Sequence, residues 1–361
     1  MTRLRLLLAA AILAAGCFDD SGSAPDGGVD GQGGGSGGTG GRGGTGGRGG
    51  SGGTGGMGGM GGMGGSGGSS GGCPGAMTGG SGGVLASGQC EPTGIAVDAT
   101  NLYWADHAGG LVYALPLAGG SVSVVASGQA GPLAVAVDAT TVYWVTREGG
   151  QVMSAPIAGG GPSTLASGQN EPRALAVLGG TVYWTNHNGG QVMSRAPDGT
   201  ITTIASNQVG PRGIAVGAAG VYWTNFDGGT VMRVPPAGQP TVIATRQQSP
   251  IDLRVDATNV YWLNFQNGTV WKADLNGQNA TKLADQQVAP VALALDGTTL
   301  YWLNLNGGTL MKLVAGGTPD TLASMEASPL DLVVDATNVY WVDKGTAQAN
   351  YLDGKVRMVA K

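Results

Sequence analysis

Thr181-Val-Tyr-Trp-Thr-Asn-His-Asn-Gly-Gly-Gln-Val-Met-Ser194 sets two β-prone runs on either side of a polar turn closed by glycines. Its centre, Tyr183-Trp184, is one of seven such pairs, the others being Tyr103-Trp104, Tyr143-Trp144, Tyr222-Trp223, Tyr261-Trp262, Tyr301-Trp302 and Tyr340-Trp341. Successive pairs stand 40, 40, 39, 39, 40 and 39 residues apart, and of the tryptophans only Trp271 lies outside the series. A fixed period near this length is that of a four-stranded propeller blade.

Working outward from the pair, each unit carries four short apolar runs separated by Gly, Asn, Asp and Pro. Strand A is of the Ala-Val-Asp type (Ile95 to Asp98 in the first unit), strand B holds Tyr-Trp, strand C is Val-Met-Ser or Val-Tyr-Ala, and strand D is Val-Val-Ala or Thr-Leu-Ala. Neighbouring side chains on a strand point to opposite faces, so the aromatic pair fills the gaps on both sides of its blade. The phenol and indole groups are then expected to satisfy nearby backbone.

The two ends of the array decide the blade number. It opens with Val84-Leu-Ala-Ser-Gly-Gln89, a D strand without its own A, B and C, and stops at Lys355-Val-Arg-Met-Val-Ala-Lys361, a C strand without its D. One blade divided between the termini closes a ring and leaves no terminal edge to pair elsewhere. The expectation is an all-β, seven-bladed β-propeller over 84–361 with a shared closing blade.

Ahead of it, Arg3 and Arg5 precede an apolar run, Leu6 to Leu13, too short to span a bilayer, which reads as an export signal over 1–16. Leu13-Ala14-Ala15-Gly16-Cys17 resembles the lipobox of bacterial lipoproteins, with Ala14 where Leu is commoner. By that resemblance Cys17 becomes the acylated first residue, so the expected partner is a membrane, reached through several acyl chains. Phe18 after the Cys favours outer-membrane sorting. Residues 17–83 form a disordered, glycine-rich tether, since Gly-Gly-X repeats from Ser36 to Ser69 cannot offset their ordering entropy. About 50 such residues reach roughly 40 Å. Met57, Met60 and Met63 have a spacing that suits a soft ion, but Thr and Met share that slot, and no metal or cofactor is expected. Cys73 and Cys90 suit a disulfide in an oxidising compartment, with free thiols as the alternative.

Gly makes up 72 of 361 residues, and the net charge is −5. An acidic, charge-poor chain offers no phosphate-attracting surface, which argues against nucleic acid. With two His, no HExxH and no G-x-S-x-G, common hydrolytic motifs are missing, and a monomeric binding or scaffold module for an envelope protein or glycan is expected rather than an enzyme.

Two residues after each pair come Asp106, Thr146, Asn186, Asn225, Asn264, Asn304 and Asp343, and this pattern resembles the YWTD repeat of lipoprotein-receptor propellers across residues 84 to 361. It departs in blade number, six in that family, and in the last residue of the motif. The wider superfamily includes NHL-type propellers and the seven-bladed streptogramin lyases, so the resemblance implies an architecture while function varies on it.

The D–A loops carry a ring of Gln89, Gln129, Gln169, Gln208, Gln247, Gln287 and Glu326, each three residues before a Pro. Recurrence in every blade assigns it to structure. A specific ligand needs positions that break the symmetry: Arg173, Arg212, Asp252 and Asp331 in strand A, and His107, Arg147, Glu148, His187, Phe226, Asp227, Phe265 and Lys344 in the B–C loops. The last B–C loop, Asp343 to Asp353, is the longest. The competing reading is a channel-mouth lyase or lactonase, with His107 or His187 as base and Glu148 or Glu171 as partner.

Overall fold

A computed structural model describes residues 83–361, together with the strand placement of Ala14–Gly16 and Met77–Thr78. Seven antiparallel sheets follow one another around an axis. Blade 1 spans 92–126, blade 2 132–166, blade 3 172–205, blade 4 211–244, blade 5 250–284 and blade 6 290–324. Blade 7 takes strands A and B from Pro329–Val334 and Asn338–Asp343, and strand C from Gly354–Ala360. Its strand D is Val84–Gln89, which pairs with Gly354–Ala360, so the ring closes between the two ends of the domain as expected. Met77–Thr78 adds a short outer strand to it.

Within each blade the strands run A to D from the axis outward, and consecutive A strands contact one another round the ring. Blade 5 is representative: Pro250–Val255, Asn259–Asn264, Thr269–Asp274 and Thr281–Ala284. Its strand A is buried throughout, because both faces meet other blades, whereas its strand D turns Thr281 and Lys282 to solvent.

All seven pair tryptophans are at most 2% exposed. Their indole nitrogens do not use backbone, as the strand geometry had suggested. Six donate to the ring Gln of the preceding D–A loop, at 2.8 Å for Gln89, Gln129, Gln169, Gln247 and Gln287 and 3.0 Å for Gln208, and Trp341 donates to Glu326 at 3.3 Å. All six of these Gln amides also donate to a backbone carbonyl two residues earlier, as Gln129 does to Ser127 at 3.0 Å. The ring is therefore a set of braces, each joining one blade's D strand to the next blade's tryptophan.

The motif's final residue serves the same brace. Asn186, Asn225, Asn264 and Asn304 donate to the Gln oxygen that already holds the indole. In blade 1, Asp106 instead accepts from the Cys90 and Gly109 amides. On the opposite face, Tyr103, Tyr143, Tyr261 and Tyr340 donate their hydroxyls to Asp98, Asp138, Asp256 and Asp335, which also hold the A–B turns.

Glycine ends the B–C turn for a steric reason. At Gly110 φ is +64°, and a Cβ there would lie 2.7 Å from the Gln129 carbonyl oxygen. The close approach lets the Gln129 amide bond the Gly110 carbonyl at 3.0 Å, locking the B–C loop to the next D–A loop.

Candidate functional site

The interlocked B–C and D–A loops form one mouth of the ring. The residue following the motif occupies an equivalent place in every blade: His107, Arg147, His187, Phe226, Phe265, Leu305 and Lys344. All seven are half-buried. Going round from blade 7, they divide into a charged arc over blades 7, 1, 2 and 3 and an apolar arc over blades 4, 5 and 6.

The charged arc contains one arrangement built twice. Glu91, just before the Pro that starts blade 1, receives Lys344 Nζ from blade 7 at 2.7 Å and stands 3.4 Å from His107 Nδ1. The other ring nitrogen of His107 faces Glu148 of blade 2 at 3.4 Å. Two blades on, Glu171 receives Arg147 at 3.1 Å and Arg173 at 2.5 Å, and stands 3.4 Å from His187 Nδ1, whose Nε2 faces Asp227 at 3.4 Å. Each copy thus runs from a cation of one blade through a Glu and a His to an acid of the next.

The inner and outer acids differ. Glu91 and Glu171 have side chains 14% and 12% exposed, whereas Glu148 and Asp227 are 51% exposed. Burial opposes charge on Glu91, but hydrogen bonds from His107 and Lys344 outweigh it and hold the carboxyl below its ordinary range. Glu171 is likewise held down, against burial, by Arg173, His187 and Arg147. Burial, with Arg173 nearby, lowers the His187 pKa and so disfavours the imidazolium. A ring whose Nδ1 lies 3.3 Å from Asn188 Oδ1 and beside the Glu171 carboxylate, with Nε2 towards a half-exposed acid, has the geometry of an oriented base.

The apolar arc is simpler. Phe226 and Phe265 are 6.2 Å apart at 45°, and the Arg212 guanidinium lies 4.6 Å from the Phe226 centroid. Val209 and Val288, in the adjoining D–A loops, are 58% and 53% exposed.

Of the residues singled out by broken symmetry, His107, Arg147, Glu148, Arg173, His187, Arg212, Phe226, Phe265 and Lys344 come together here. Asp252 and Asp331 do not belong to this face. Both are buried, and their carboxylates accept backbone amides: Asp252 from Leu253 and Leu293, Asp331 from Leu332 and Ile95. Glu91 was absent from that set although it anchors one copy; its place before the Pro, matched by Glu171, was the available signal. Arg254, paired with Asp252 at 2.7 Å, gave none, because it sits within an apolar strand. The long blade 7 loop folds back on the mouth, where the Tyr351 carbonyl accepts the Glu91 amide and Lys344 lies 4.3 Å from the Tyr351 ring.

Cys90 is buried and disulfide-bonded. Its expected partner Cys73, the lipidation candidate Cys17 and the Met57–Met60–Met63 run lie outside the described residues. Among the described residues no helix is long and apolar enough to cross a membrane.

Fold and mouth together define a seven-bladed β-propeller whose mouth is half ionic and half apolar. In sequence, no family model and no curated protein matches the chain. In structure it is similar to a streptogramin B lyase, with a TM-score of 0.67 and 13% identity over 77% of this chain and 96% of that one. It is also similar to a catalytically inactive virginiamycin B lyase from Staphylococcus aureus with quinupristin, with a TM-score of 0.66 and 14% identity over 76% and 97%. At this identity the likeness extends to the fold.

Proposed function

We propose that the protein is an exported lipoprotein, anchored through Cys17 to the outer membrane, that presents the propeller mouth as a binding module for an envelope protein or glycan. The leader and the lipobox-like residues support the anchor, and the glycine-rich segment supports display away from the lipid. The observation that carries the binding reading is the division of the seven equivalent mouth positions into an ionic arc and an apolar arc. Such a surface offers hydrogen bonds on one side and ring faces on the other, the combination used to fix orientation at a ligand site. A photo-crosslinking residue placed at Phe265 in the full chain, in intact cells, should give one discrete adduct. The same residue at Thr140, on the opposite face, should give none; equal labelling from both faces, or none from Phe265, would overturn the reading.

A second reading has its own support. His187 is half-buried and held between Glu171 and Asp227, its charged form is disfavoured by burial, and the solved lyases share the fold. In this reading the imidazole removes a substrate proton in an elimination, and Arg147 and Arg173 keep Glu171 ionised behind it. Incubation with quinupristin, followed by chromatography, would yield a new species that the His187→Ala variant fails to make. An unchanged chromatogram at stoichiometric protein removes streptogramin-like substrates from consideration.

A further inference from the structure

Below the mouth the channel wall is also divided, by a different device. In each strand A, the residue opposite the tryptophan turns its N–H away from strand B and towards the axis. Ile95, opposite Trp104, donates to Asp331 at 3.0 Å, and Leu293, opposite Trp302, donates to Asp252 at 2.8 Å. The second carboxylate oxygens of the same two acids accept the corresponding amides of their own strands, Leu253 and Leu332. Arg254 adds a cap on the Leu253 carbonyl at 2.8 Å. Two aspartates therefore close the inner edges of four blades: 5 and 6 through Asp252, 7 and 1 through Asp331.

Among the described residues, blades 2, 3 and 4 have no such cap. An acid at this position covers its own strand and the next, and here Gly94, Ala134, Ala174 and Gly213 occupy it. The inward amides of Val135, Leu175 and Ile214 thus belong to an edge that a further strand can join. The backbone of Ala14–Gly16 does so at the centre of that arc. It lies antiparallel to blade 3, with Ala15 opposite Leu175 and Gly16 opposite Ala174.

We infer that the channel wall of blades 2–4 is a peptide-binding edge that takes an extended segment as an additional inner strand, and that the chain's own Ala14–Gly16 segment is its occupant. Main-chain pairing with Leu175 supplies the attachment. The capped blades cannot offer the same bonds, so the occupant is confined to one side of the channel. The inference is independent of what the mouth binds and of whether His187 acts as a base; it concerns the chain that still carries residues 1–16, and cleavage ahead of Cys17, as in the proposed lipoprotein, removes the occupant and opens the edge.

Hydrogen exchange resolved at single amides tests it, comparing the full chain with one that begins at Cys17. The Leu175 amide should exchange about tenfold faster or more in the shorter chain. The Ile95 and Leu293 amides, capped by side chains, should be unchanged and so report an intact ring. Adding a synthetic peptide of residues 9–16 should then slow Leu175 again and leave Ile95 where it was. Equal Leu175 rates in the two chains would overturn the proposal for the chain's own segment. Failure of the peptide to restore protection would overturn the edge as a peptide site.

Discussion

In blade 5 the Gln247 side-chain oxygen accepts from the Trp262 indole and from Asn264, both at 2.8 Å, and the brace is neutral. In blade 7 the same three places hold Glu326, Trp341 and Asp343. There Trp341 reaches Glu326 at 3.3 Å, and Arg357 bonds Glu326 at 2.5 Å while lying 3.5 Å from Asp343. Arg357 stands opposite Trp341 on strand C, where blades 2, 3, 4 and 6 have Met153, Met193, Met232 and Met311 opposite theirs. Its guanidinium also packs 5.5 Å from the Trp341 ring. Six blades receive strand C from a short local turn, but blade 7 must bind a terminal strand and then a D strand from the far end of the domain. A buried charge that only the correct partner neutralises specifies that register in a way a methionine cannot, at some expense of desolvation.

The sharpest way to break the comparison is Arg357→Met, which gives blade 7 its neighbours' residue and leaves two buried carboxyls without their cation. Loss of one partner of such a cluster should cost about 3 kcal/mol, the low end of the usual range because the guanidinium is 22% exposed. Denaturant unfolding measures it. Combining Arg357→Met with Glu326→Gln and Asp343→Asn rebuilds the neutral brace and should recover stability to within about 1 kcal/mol of the parent. If the triple variant is as unstable as the single one, the charge is not what distinguishes the two blades.

Gln247→Ala attacks the neutral brace directly. It strands the Trp262 indole and one N–H of the Asn264 amide together, the other being held by Thr269, an expected loss of about 2 kcal/mol. Gln129→Ala in blade 2 has Thr146 in place of the Asn and should cost less, since only the Trp144 indole is stranded. Equal losses would show that the Asn contributes nothing to the brace.

The third test uses pH. Burial, followed by the Glu326 hydrogen bond and charge, pushes Asp343 up to about 8. The folded state therefore keeps a proton that the unfolded chain releases near 3.8, and stability from this group is complete below that value and lost as pH rises through about 8. Asp106, raised mainly by burial to about 6, acts with the same sign over a lower window. Melting temperature should fall from pH 5 to pH 9, and Asp343→Asn should flatten the upper part of that fall. An unchanged slope in the variant would assign the effect elsewhere.

The braces also show why the fold was legible and the site only partly so. Spacing and the two ends of the array carried the blade number, because Tyr-Trp recurs at the blade period and the orphan strand at Val84–Gln89 matches the missing D strand at the C-terminus. The Gln ring was legible as structural from its repetition, although its partner, the indole, lies fifteen residues along the chain and was not. Broken symmetry found the mouth because seven equivalent positions differ there. The same criterion also selected Asp252 and Asp331, which differ for another reason: they cap backbone amides across a blade junction, a contact no repeat alignment exposes. Glu91 escaped because it lies outside the B–C loops and strand A, while its partners Lys344 and His107 come from opposite ends of the domain.

The smallest expected effect concerns the one tryptophan outside the ruler. Trp271 takes, in blade 5, the strand C position that Arg357 holds in blade 7, and stacks on Trp262 at 6.1 Å and 10°. Its indole donates to Thr269 at 2.9 Å, and Thr269 in turn accepts from Asn264, so the outlier is tied into the blade 5 brace from the other side. Trp271→Met restores the residue of blades 2, 3, 4 and 6, keeping an apolar contact with Trp262 but losing the offset ring pair, at about 1 kcal/mol. Because Thr269 still accepts from Asn264, the brace itself should survive, and Gln247→Ala should cost the same in the Trp271→Met background as alone. A double-mutant coupling above about 0.5 kcal/mol would mean that the two tryptophans act as one unit. Blade 5 would then owe its neutral brace to the stack, as blade 7 owes its charged one to Arg357.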